Sequence, residues 1–238
     1  MNIAMLIAGG SGARMGQDIP KQFLNVYDRP VIIYTLEAFQ NHPNIDAIMV
    51  VCVKGWETIL SAYAKQFNIT KLKWIAEGGE NGQSSIRNGV EMLSSDSETS
   101  DEDIILIHDA IRPMVSADII SDCIKTCTEK ESAITVIPCA EAMLITDNRE
   151  DSSALMDRNS LVRTQTPQAF PLSKLVWAHK TALERGITNS VATCTLMVEL
   201  GEKIYFSAGS EKNVKLTTTE DIEIFKALLK TSKDEWLK

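Results

Sequence analysis

The chain has 238 residues, of which 44% are hydrophobic and 24% are charged, and its formal net charge is −8. These values are typical of a globular protein with a core of ordinary size, and the negative charge excludes a broad basic face for nucleic acid. They do not exclude a small anionic substrate, because a few local lysines and arginines can form a positive pocket.

The first half of the chain alternates short apolar runs with amphipathic stretches. Nearly continuous apolar runs, typical of strands covered on both faces, lie at Ile3–Ala8, Ala47–Val53, Leu72–Ala76, Ile104–Ile107 and Ala133–Ile137. Helical patterns separate these runs at Pro30–Phe39, Trp56–Gln66, Ser84–Leu93 and Ser116–Thr128. This order predicts an α/β fold with a Rossmann-like, mostly parallel sheet flanked by helices.

The alternation stops after Pro138. Residues 139–164 are mixed and polar, and we interpret them as a projecting arm, either a hairpin or a mobile surface loop. Helices are expected from Pro171 to Arg185, at a stretch ending near Leu200 and from Thr219 to Leu229, with a strand at Lys203–Phe206. No linker or internal repeat is visible, so we expect one domain over residues 1–238 with the arm inside it.

The cysteines and the apolar segments bear on location. Five cysteines are scattered along the chain; they are expected to be buried thiols rather than metal ligands, which suits a reducing cytoplasm. No stretch approaches the roughly 18 apolar residues that a membrane span needs. The N-terminal apolar run stops at glycines, and we expect a core strand there rather than a signal peptide.

A glycine-rich segment follows the first predicted strand and reads Ala8-Gly9-Gly10-Ser11-Gly12-Ala13-Arg14-Met15-Gly16. Glycines at such a junction let backbone N–H groups approach an anion closely. The spacing is GxGxxxG rather than the GxGxxG of dinucleotide-binding proteins, and the Gly-Lys-Ser/Thr end of a P-loop is missing. Arg14 and, after Pro20, Lys21 would add the positive charge that a transferring phosphoryl group requires. The alternative is a glycine turn with solvated cations.

The segment AGGSGARMGQDIPKQFL resembles the signature of the cytidylyltransferases that make CDP-activated methylerythritol and CDP-ribitol. The resemblance covers nearly the whole chain in ordered motifs. They are Gly78-Gly79 with Ser85 and Asn88-Gly89, His108-Asp109-Ala110-Ile111-Arg112-Pro113, Asp157-Arg158-Asn159, Gln165-Thr166-Pro167-Gln168, and Asn213-Val214-Lys215-Leu216-Thr217 with Glu220-Asp221. It implies a nucleotidyltransferase fold of the GT-A-like type, a dependence on Mg²⁺, and a homodimer formed through the arm.

The resemblance also implies a role for each matching position. Arg14, Lys21 and Lys215 would be catalytic, stabilising the charge on the phosphates during transfer. The residues expected to bind CTP are Ala8, Gly9, Gly10, Gly12, Gly79, Ser85, Asp109 and Ala110. The residues expected to bind the acceptor are Arg112, Arg158, Thr166 and Ala192, with Arg158 reaching a neighbouring subunit and, with Thr166, holding the acceptor's phosphate. Asp109 would also hold the Mg²⁺ ion.

Residue chemistry alone leaves alternatives open at several of these positions. Asp109 follows a predicted strand, where α/β proteins collect their ligands, but it could instead cap the next helix. Arg112 could be part of a salt-bridging turn, and Lys215 could be a solvated strand residue facing away from its apolar neighbours. His108 is more typical of a hydrogen-bonded structural residue than of an acid or base. The reaction needs no base, because the attacking group is already a phosphate anion.

Three positions depart from the family pattern. Gly82 stands where an Arg is usual, Glu141-Ala142 where Asp-Thr is usual, and Val191-Ala192 where Thr-Asp helps to bind the acceptor's hydroxyl groups. The residues expected on the triphosphate side are intact. We therefore predict transfer of CMP from CTP to a phosphorylated polyol or sugar other than methylerythritol phosphate, giving a CDP-linked precursor for a surface polysaccharide. Ribitol 5-phosphate is one candidate, but the enzymes that use it also carry the Thr-Asp, so the sequence does not single it out.

Three other functions are considered. The nearest is the methylerythritol phosphate enzyme of isoprenoid biosynthesis. A non-catalytic nucleotide-binding protein has little use for Arg14, Lys21, Asp109 and Lys215, and a nicotinamide oxidoreductase conflicts with the glycine spacing.

Overall fold

The computed structural model describes residues 1–10 and 19–231. Its strands are β1 Asn2–Ala8, β2 Asn25–Val26, β3 Arg29–Pro30, β4 Ala47–Cys52, β5 Leu72–Glu77, β6 Ile104–Asp109, β7 Ala133–Pro138, β8 Met143–Ile145, β9 Ala154–Met156, β10 Val162–Pro171 and β11 Phe206–Ala208. Its helices are α1 Val31–Gln40, α2 Glu57–Gln66, α3 Gly82–Ser94, α4 Ala117–Lys130, α5 Leu172–Glu184, α6 Thr193–Glu199 and α7 Thr219–Thr231. Two short 3₁₀ helices lie at Lys21–Phe23 and Arg158–Ser160.

Seven strands form the central sheet in the order β11-β7-β10-β6-β1-β4-β5. Strand β1 pairs in parallel with β4 on one side and β6 on the other, β4 with β5, and β7 with β11. Strand β10 alone in this sheet runs antiparallel, between β6 and β7. The predicted mostly parallel α/β sheet is confirmed. The strand order changes direction at β1, which opens a crevice at the carboxyl ends of β1 and β6.

Helices cover both faces of the sheet. Alternate residues of β1 pack against opposite layers: Leu6 belongs to the core formed with α1, α2 and α4, and Met5 to the core formed with α3, α5 and α6. Since both faces are buried, the strands read in the sequence as continuous apolar runs rather than as alternating ones. No helix in residues 1–10 and 19–231 has the length and apolar character needed to cross a membrane.

The segment predicted as an arm, residues 139–164, contains the hairpin β8–β9, in which Leu144 pairs with Leu155. Every residue of these two strands is exposed. The predicted arm ended at Thr164, but residues 162–164 already belong to β10 and pair with β7, so the arm is shorter at that end.

Two features of the C-terminal half were not predicted correctly. Strand β10 was not predicted, because Gln165, Thr166 and Gln168 are polar and Pro167 cannot donate to a ladder. The strand tolerates them because its register with β7 is interrupted between Thr164 and Gln168, where a proline N–H is not needed, and because both glutamines are buried and hydrogen-bonded. The last strand was placed at Lys203–Phe206, whereas pairing with β7 begins only at Phe206.

Candidate active site

A cleft of about 760 Å³ lies at the carboxyl ends of β1 and β6, at the point where the strand order changes direction. Its lining comes from the glycine-rich segment, the start of α3, the end of β6, the middle of β10 and the segment that leads into α6. Predicted site residues that line it are Ala8, Gly9, Gly10, Lys21, Gly79, Ser85, Asp109, Arg112, Thr166, Ala192 and Lys215. Gly12 and Arg14, also predicted, lie outside the described residues.

The backbone after β1 forms one wall of the cleft, and a close approach between two loops fixes it. A Cβ on Gly78 would lie 2.9 Å from the Cα of Gly9, and one on Gly9 would lie 3.0 Å from the Ser85 hydroxyl. Packing therefore requires glycine at position 78, where a Cβ would meet backbone, and leaves little room at position 9, where the Ser85 side chain would have to shift.

Gln22 ties this wall to the 3₁₀ helix that Lys21 begins. Its Nε2 donates to the carbonyl oxygens of Ala8 at 2.7 Å and Gly10 at 3.0 Å, and the residue is only 1% exposed. Lys21, which follows Pro20, is thereby placed at the rim of the cleft. Gln22 had no predicted role, because a single glutamine beside a lysine carries no signal of burial.

The start of α3 forms the second wall. Asn81 caps the helix by accepting from the Ser84 N–H, and the Ser84 hydroxyl accepts from the Asn81 N–H. The Ser85 hydroxyl donates to the Asn81 carbonyl and accepts from the Gly79 N–H at 3.0 Å. Gly79 and Ser85, both predicted to bind CTP, are thus joined in one hydrogen-bonded turn.

Asp109 forms the charged centre of the cleft. Its Oδ2 accepts from Arg112 Nε at 2.9 Å, and its Oδ1 accepts from Lys215 Nζ at 3.0 Å. Burial alone would raise the pKa of Asp109, but the positive charges of Lys215 and Arg112 outweigh this and lower it, so the group is a carboxylate. Asp109 does not cap the next helix, because Ser116 is the N-cap of α4.

The segment carrying Lys215 is anchored by buried amides. Asn213, with no exposed surface, donates through Nδ2 to the Thr166 carbonyl at 2.8 Å, and its own carbonyl accepts from Arg112 Nη1 at 2.7 Å. Gln165 accepts from the same Nδ2 at 3.2 Å. Lys215 does not lie in a strand, so the strand alternation behind its prediction does not apply. Lys215 is nevertheless exposed while its neighbour Leu216 is buried, so the two side chains face opposite ways as predicted.

Behind Asp109, His108 is fully buried and hydrogen-bonded through both ring nitrogens, to the Thr166 hydroxyl at 3.0 Å and to the Arg112 carbonyl at 3.2 Å. Burial lowers the pKa of His108 to about 4, so the ring is neutral near pH 7. The Thr166 hydroxyl also accepts from the Asp109 N–H at 3.0 Å.

The opposite wall of the cleft carries the departure from the family pattern. Val191 is 95% exposed and lines the cleft together with Ala192, the N-cap of α6, whose side chain accepts no hydrogen bond. Buried Gln83 of α3 holds this segment: its Nε2 donates to the Ile187 carbonyl and its Oε1 accepts from the Ser190 N–H, both at 2.6 Å. Gln83 had no predicted role either.

The structure does not bring two predicted residues to the cleft. Ala110 is fully buried, and its N–H donates to the Ile7 carbonyl while its own carbonyl accepts from Thr35. Arg158 lies on the exposed arm, where Nη1 donates to the Ala140 carbonyl. Neither residue is part of the described lining.

A further histidine lies at the floor of the cleft. His179 of α5 is 5% exposed, and its Nε2 has no hydrogen-bond partner among the described residues. Burial, with a smaller contribution from Arg87, lowers the pKa of His179 to about 4.

Comparison with known proteins assigns the chain to a family. Residues 2–231 match the model of the family described as IspD: 2-C-methyl-D-erythritol 4-phosphate cytidylyltransferase. The chain belongs to this family. The resemblance that the motifs indicated is confirmed, and the protein is a nucleotidyltransferase.

Relatives of this cytidylyltransferase carry two different names. Ribitol-5-phosphate cytidylyltransferases from Lacticaseibacillus paracasei and Vibrio parahaemolyticus are 44% and 38% identical, over 97% and 98% of this chain and 98% of each relative. A 2-C-methyl-D-erythritol 4-phosphate cytidylyltransferase from Desulforamulus reducens is 31% identical over 96% of this chain and 95% of its own. A crystal structure of 4-diphosphocytidyl-2C-methyl-D-erythritol synthase superimposes with a TM-score of 0.79 at 27% identity, over 96% of this chain and 98% of that one.

Proposed function

We propose that this cytidylyltransferase transfers CMP from CTP to ribitol 5-phosphate or a closely related polyol phosphate and releases pyrophosphate. An oxygen of the acceptor phosphate attacks the α-phosphorus of CTP, which forms the new P–O–P bond. The bond from the α-phosphorus to the bridging oxygen of the β-phosphate breaks in line with it, and the electron pair leaves with pyrophosphate.

The observation that carries the choice of acceptor is the similarity over nearly the whole chain to the two enzymes named for ribitol 5-phosphate. The relative named for methylerythritol phosphate is less similar over the same span. The exposed Val191 beside Ala192 supports an altered acceptor recognition, because a wall without hydrogen-bonding side chains differs from one that carries Thr and Asp, but it does not distinguish ribitol 5-phosphate from other polyol phosphates.

The cations around the cleft support phosphoryl transfer. Lys21 lies at the rim near the glycine-rich segment, and Lys215 and Arg112 flank Asp109 on the other side. The attacking and leaving groups are both anionic, so fixed positive charge on two sides stabilises the transition state more than the separate reactants. Arg14 is assigned the same role from the sequence.

We also propose that the enzyme uses Mg²⁺, held by Asp109 together with phosphate oxygens of CTP. The described lining offers few carboxylates, Asp109 and Glu80, and the described residues contain no cluster of three or more potential ligands. This small, hard oxygen donor set fits Mg²⁺, which is commonly bound through one or two carboxylates plus substrate phosphates. When bound, the ion supplies neutralisation of the triphosphate charge; Asp109 would exchange one of its two cationic partners to hold it.

A homodimer through the arm is the assembly that we propose. Leu144 and Leu155, paired in the hairpin, are 66% and 76% exposed, and such an apolar surface is typical of a protein interface. Arg158 lies on the same arm, away from its own cleft, and a partner subunit would bring it to an acceptor site.

The compartment and the use of the product complete the proposal. All five cysteines are unpaired and buried, which suits the reducing cytoplasm, where CTP is available. The CDP-polyol would serve as the activated precursor of a surface polysaccharide.

A panel of acceptors tests the proposed function. Ribitol 5-phosphate, ribose 5-phosphate, glycerol 3-phosphate and methylerythritol 4-phosphate are each incubated with CTP and Mg²⁺, and pyrophosphate release is measured. We expect ribitol 5-phosphate to give the highest kcat/KM. Methylerythritol 4-phosphate as the best acceptor would overturn the proposal.

A further inference from the structure

Side chains at the start of α3 join two walls of the cleft. The first wall is the α3 turn, residues 79–85, and the second is the α5–α6 loop, residues 185–192. Asn81 Nδ2 donates to the Thr188 carbonyl at 3.1 Å, and Gln83 bonds to the same loop at two further points. Three hydrogen bonds therefore tie the α5–α6 loop to the α3 turn.

Each end of the Gln83 amide meets a group of fixed polarity. Its Nε2 donates to the Ile187 carbonyl, which can only accept, and its Oε1 accepts from the Ser190 N–H, which can only donate, both at 2.6 Å. Gln83 is 8% exposed, so water has little access to either bond. A glutamate could not donate to Ile187, and a methionine could make neither bond.

The α3 turn is closed without the Gln83 side chain. Asn81 and Ser84 bond to each other in the capping box, and the Ser85 hydroxyl joins the Asn81 carbonyl to the Gly79 N–H. Among the described residues, the hydrogen bonds of the Gln83 side chain go to the α5–α6 loop. Loss of this side chain would therefore remove support from the loop and leave the bonds of the turn in place.

The part of the loop that faces the cleft is held from both ends. Val191 is 95% exposed, and the side chain of Ala192 makes no hydrogen bond. Before them, the Ser190 N–H is the point that the α3 turn holds. After them, buried Gln168 of β10 accepts from the Cys194 N–H at 2.9 Å. The backbone at positions 191 and 192 is thus suspended between two buried glutamines.

We propose that Gln83 is a positioning residue for the polyol phosphate acceptor. It belongs to the turn expected to bind CTP, but it acts by holding the wall that faces the acceptor. The inference rests on the proposed function and deepens it, because it assigns part of the acceptor's recognition to the α3 turn. Removal of the Gln83 side chain should weaken acceptor binding and preserve CTP binding.

The acceptor KM and the CTP dissociation constant separate these two effects. Wild type and Gln83→Met are compared with the acceptor that wild type uses fastest, at saturating CTP, and CTP binding is measured by calorimetric titration. In Gln83→Met we expect the acceptor KM to rise by about tenfold, while kcat and the CTP dissociation constant stay within a factor of about three. A CTP dissociation constant that rises as much as the acceptor KM, or an unchanged acceptor KM, would overturn the inference.

Two further variants complete the comparison. Gln40 of α1 also bridges two groups, donating to Thr70 Oγ1 and accepting from the Lys71 N–H beside the start of β5, at the opposite end of the sheet from the cleft. Gln40→Met is the matched control and should keep the kinetic constants of wild type. Gln83→Asn, whose amide is one methylene shorter and cannot span both groups, should show the same split as Gln83→Met and replaces it if that variant does not fold.

Hydrogen exchange tests the link without turnover. The Ser190 N–H is bonded to Gln83, and the Ser85 N–H is bonded to the Asn81 carbonyl at 3.0 Å. In Gln83→Met we expect exchange at Ser190 to be faster by about tenfold or more and exchange at Ser85 to be unchanged. Unchanged exchange at Ser190 would overturn the inference. If wild type uses no polyol phosphate, the proposed function fails, while exchange at Ser190 and the kinetic split with the acceptor actually used still decide the role of Gln83.

Discussion

At the residue scale, the cleft carries cations where we propose that phosphate charge changes during transfer. Lys21 is held at the rim by the neighbouring Gln22, whose amide bridges two carbonyls of the glycine-rich segment. The Asp109 carboxylate is held between Arg112 and Lys215. Fixed groups of this kind act on the transition state without reorganising, so their removal should affect turnover more than folding.

Replacing Lys21 with alanine tests this expectation. We expect kcat to fall by about 10²–10³ because one preorganised charge is lost, while the melting temperature changes little. Lys65→Ala, at an exposed position on α2, is the matched control and should behave as wild type. Turnover of Lys21→Ala within a factor of about two of wild type would contradict the catalytic role.

His179 makes stability depend on pH. Its pKa is about 4 in the folded chain, against 6.5 when exposed, so the unfolded chain binds the proton more readily. The contribution of neutral His179 to the free energy of unfolding is therefore complete above pH 6.5 and is lost as the pH falls towards 4. We expect His179→Phe to reduce the loss of unfolding free energy between pH 7 and pH 5 by about 2 kcal/mol, measured by urea unfolding. An equal loss in variant and wild type would show that the ring is not buried as described.

At the element scale, the loops after β1 and β5 must touch for the cleft to form. A Cβ on Gly78 would lie 2.9 Å from Gly9 Cα and 3.1 Å from the Cys52 carbonyl, whereas one on Gly82 would meet nothing within 4 Å. We therefore expect Gly78→Ala to weaken CTP binding by about tenfold or more, and Gly82→Ala to bind as wild type, in calorimetric titrations. Equal CTP affinity in the two variants would contradict the close packing of these loops.

The elements also show what the sequence could and could not predict. The buried strands β1, β4, β6 and β7 were predictable, because coverage on both faces makes each a continuous apolar run. The edge strand β5 is only partly buried, and its apolar residues Trp74, Ile75 and Ala76 were the signal. Strand β10 was not, because its glutamines are paired by distant residues such as Asn213 and Cys194. Most of the site residues that the family motifs predicted line the cleft. Gln22 and Gln83 were not among them, because their partners are backbone atoms that only folding brings close.

At the scale of the whole molecule, the exposed hairpin β8–β9 should control assembly. We expect Leu144→Glu to convert a dimer into a monomer in light-scattering measurements, because a charge would then lie in an apolar interface. Leu183→Glu, which changes a residue of α5 that is 51% exposed, serves as the control and should leave the mass unchanged. A dimer that survives Leu144→Glu, or a monomeric wild type, would contradict assembly through the arm.

The choice of acceptor is the central claim, and a competition tests it most directly. Ribitol 5-phosphate and methylerythritol 4-phosphate, at equal concentration, compete for limiting CTP in one reaction, and the ratio of the two CDP products gives the ratio of kcat/KM. We predict an excess of CDP-ribitol of about tenfold or more. Equal amounts of the two products, or an excess of CDP-methylerythritol, would contradict the account.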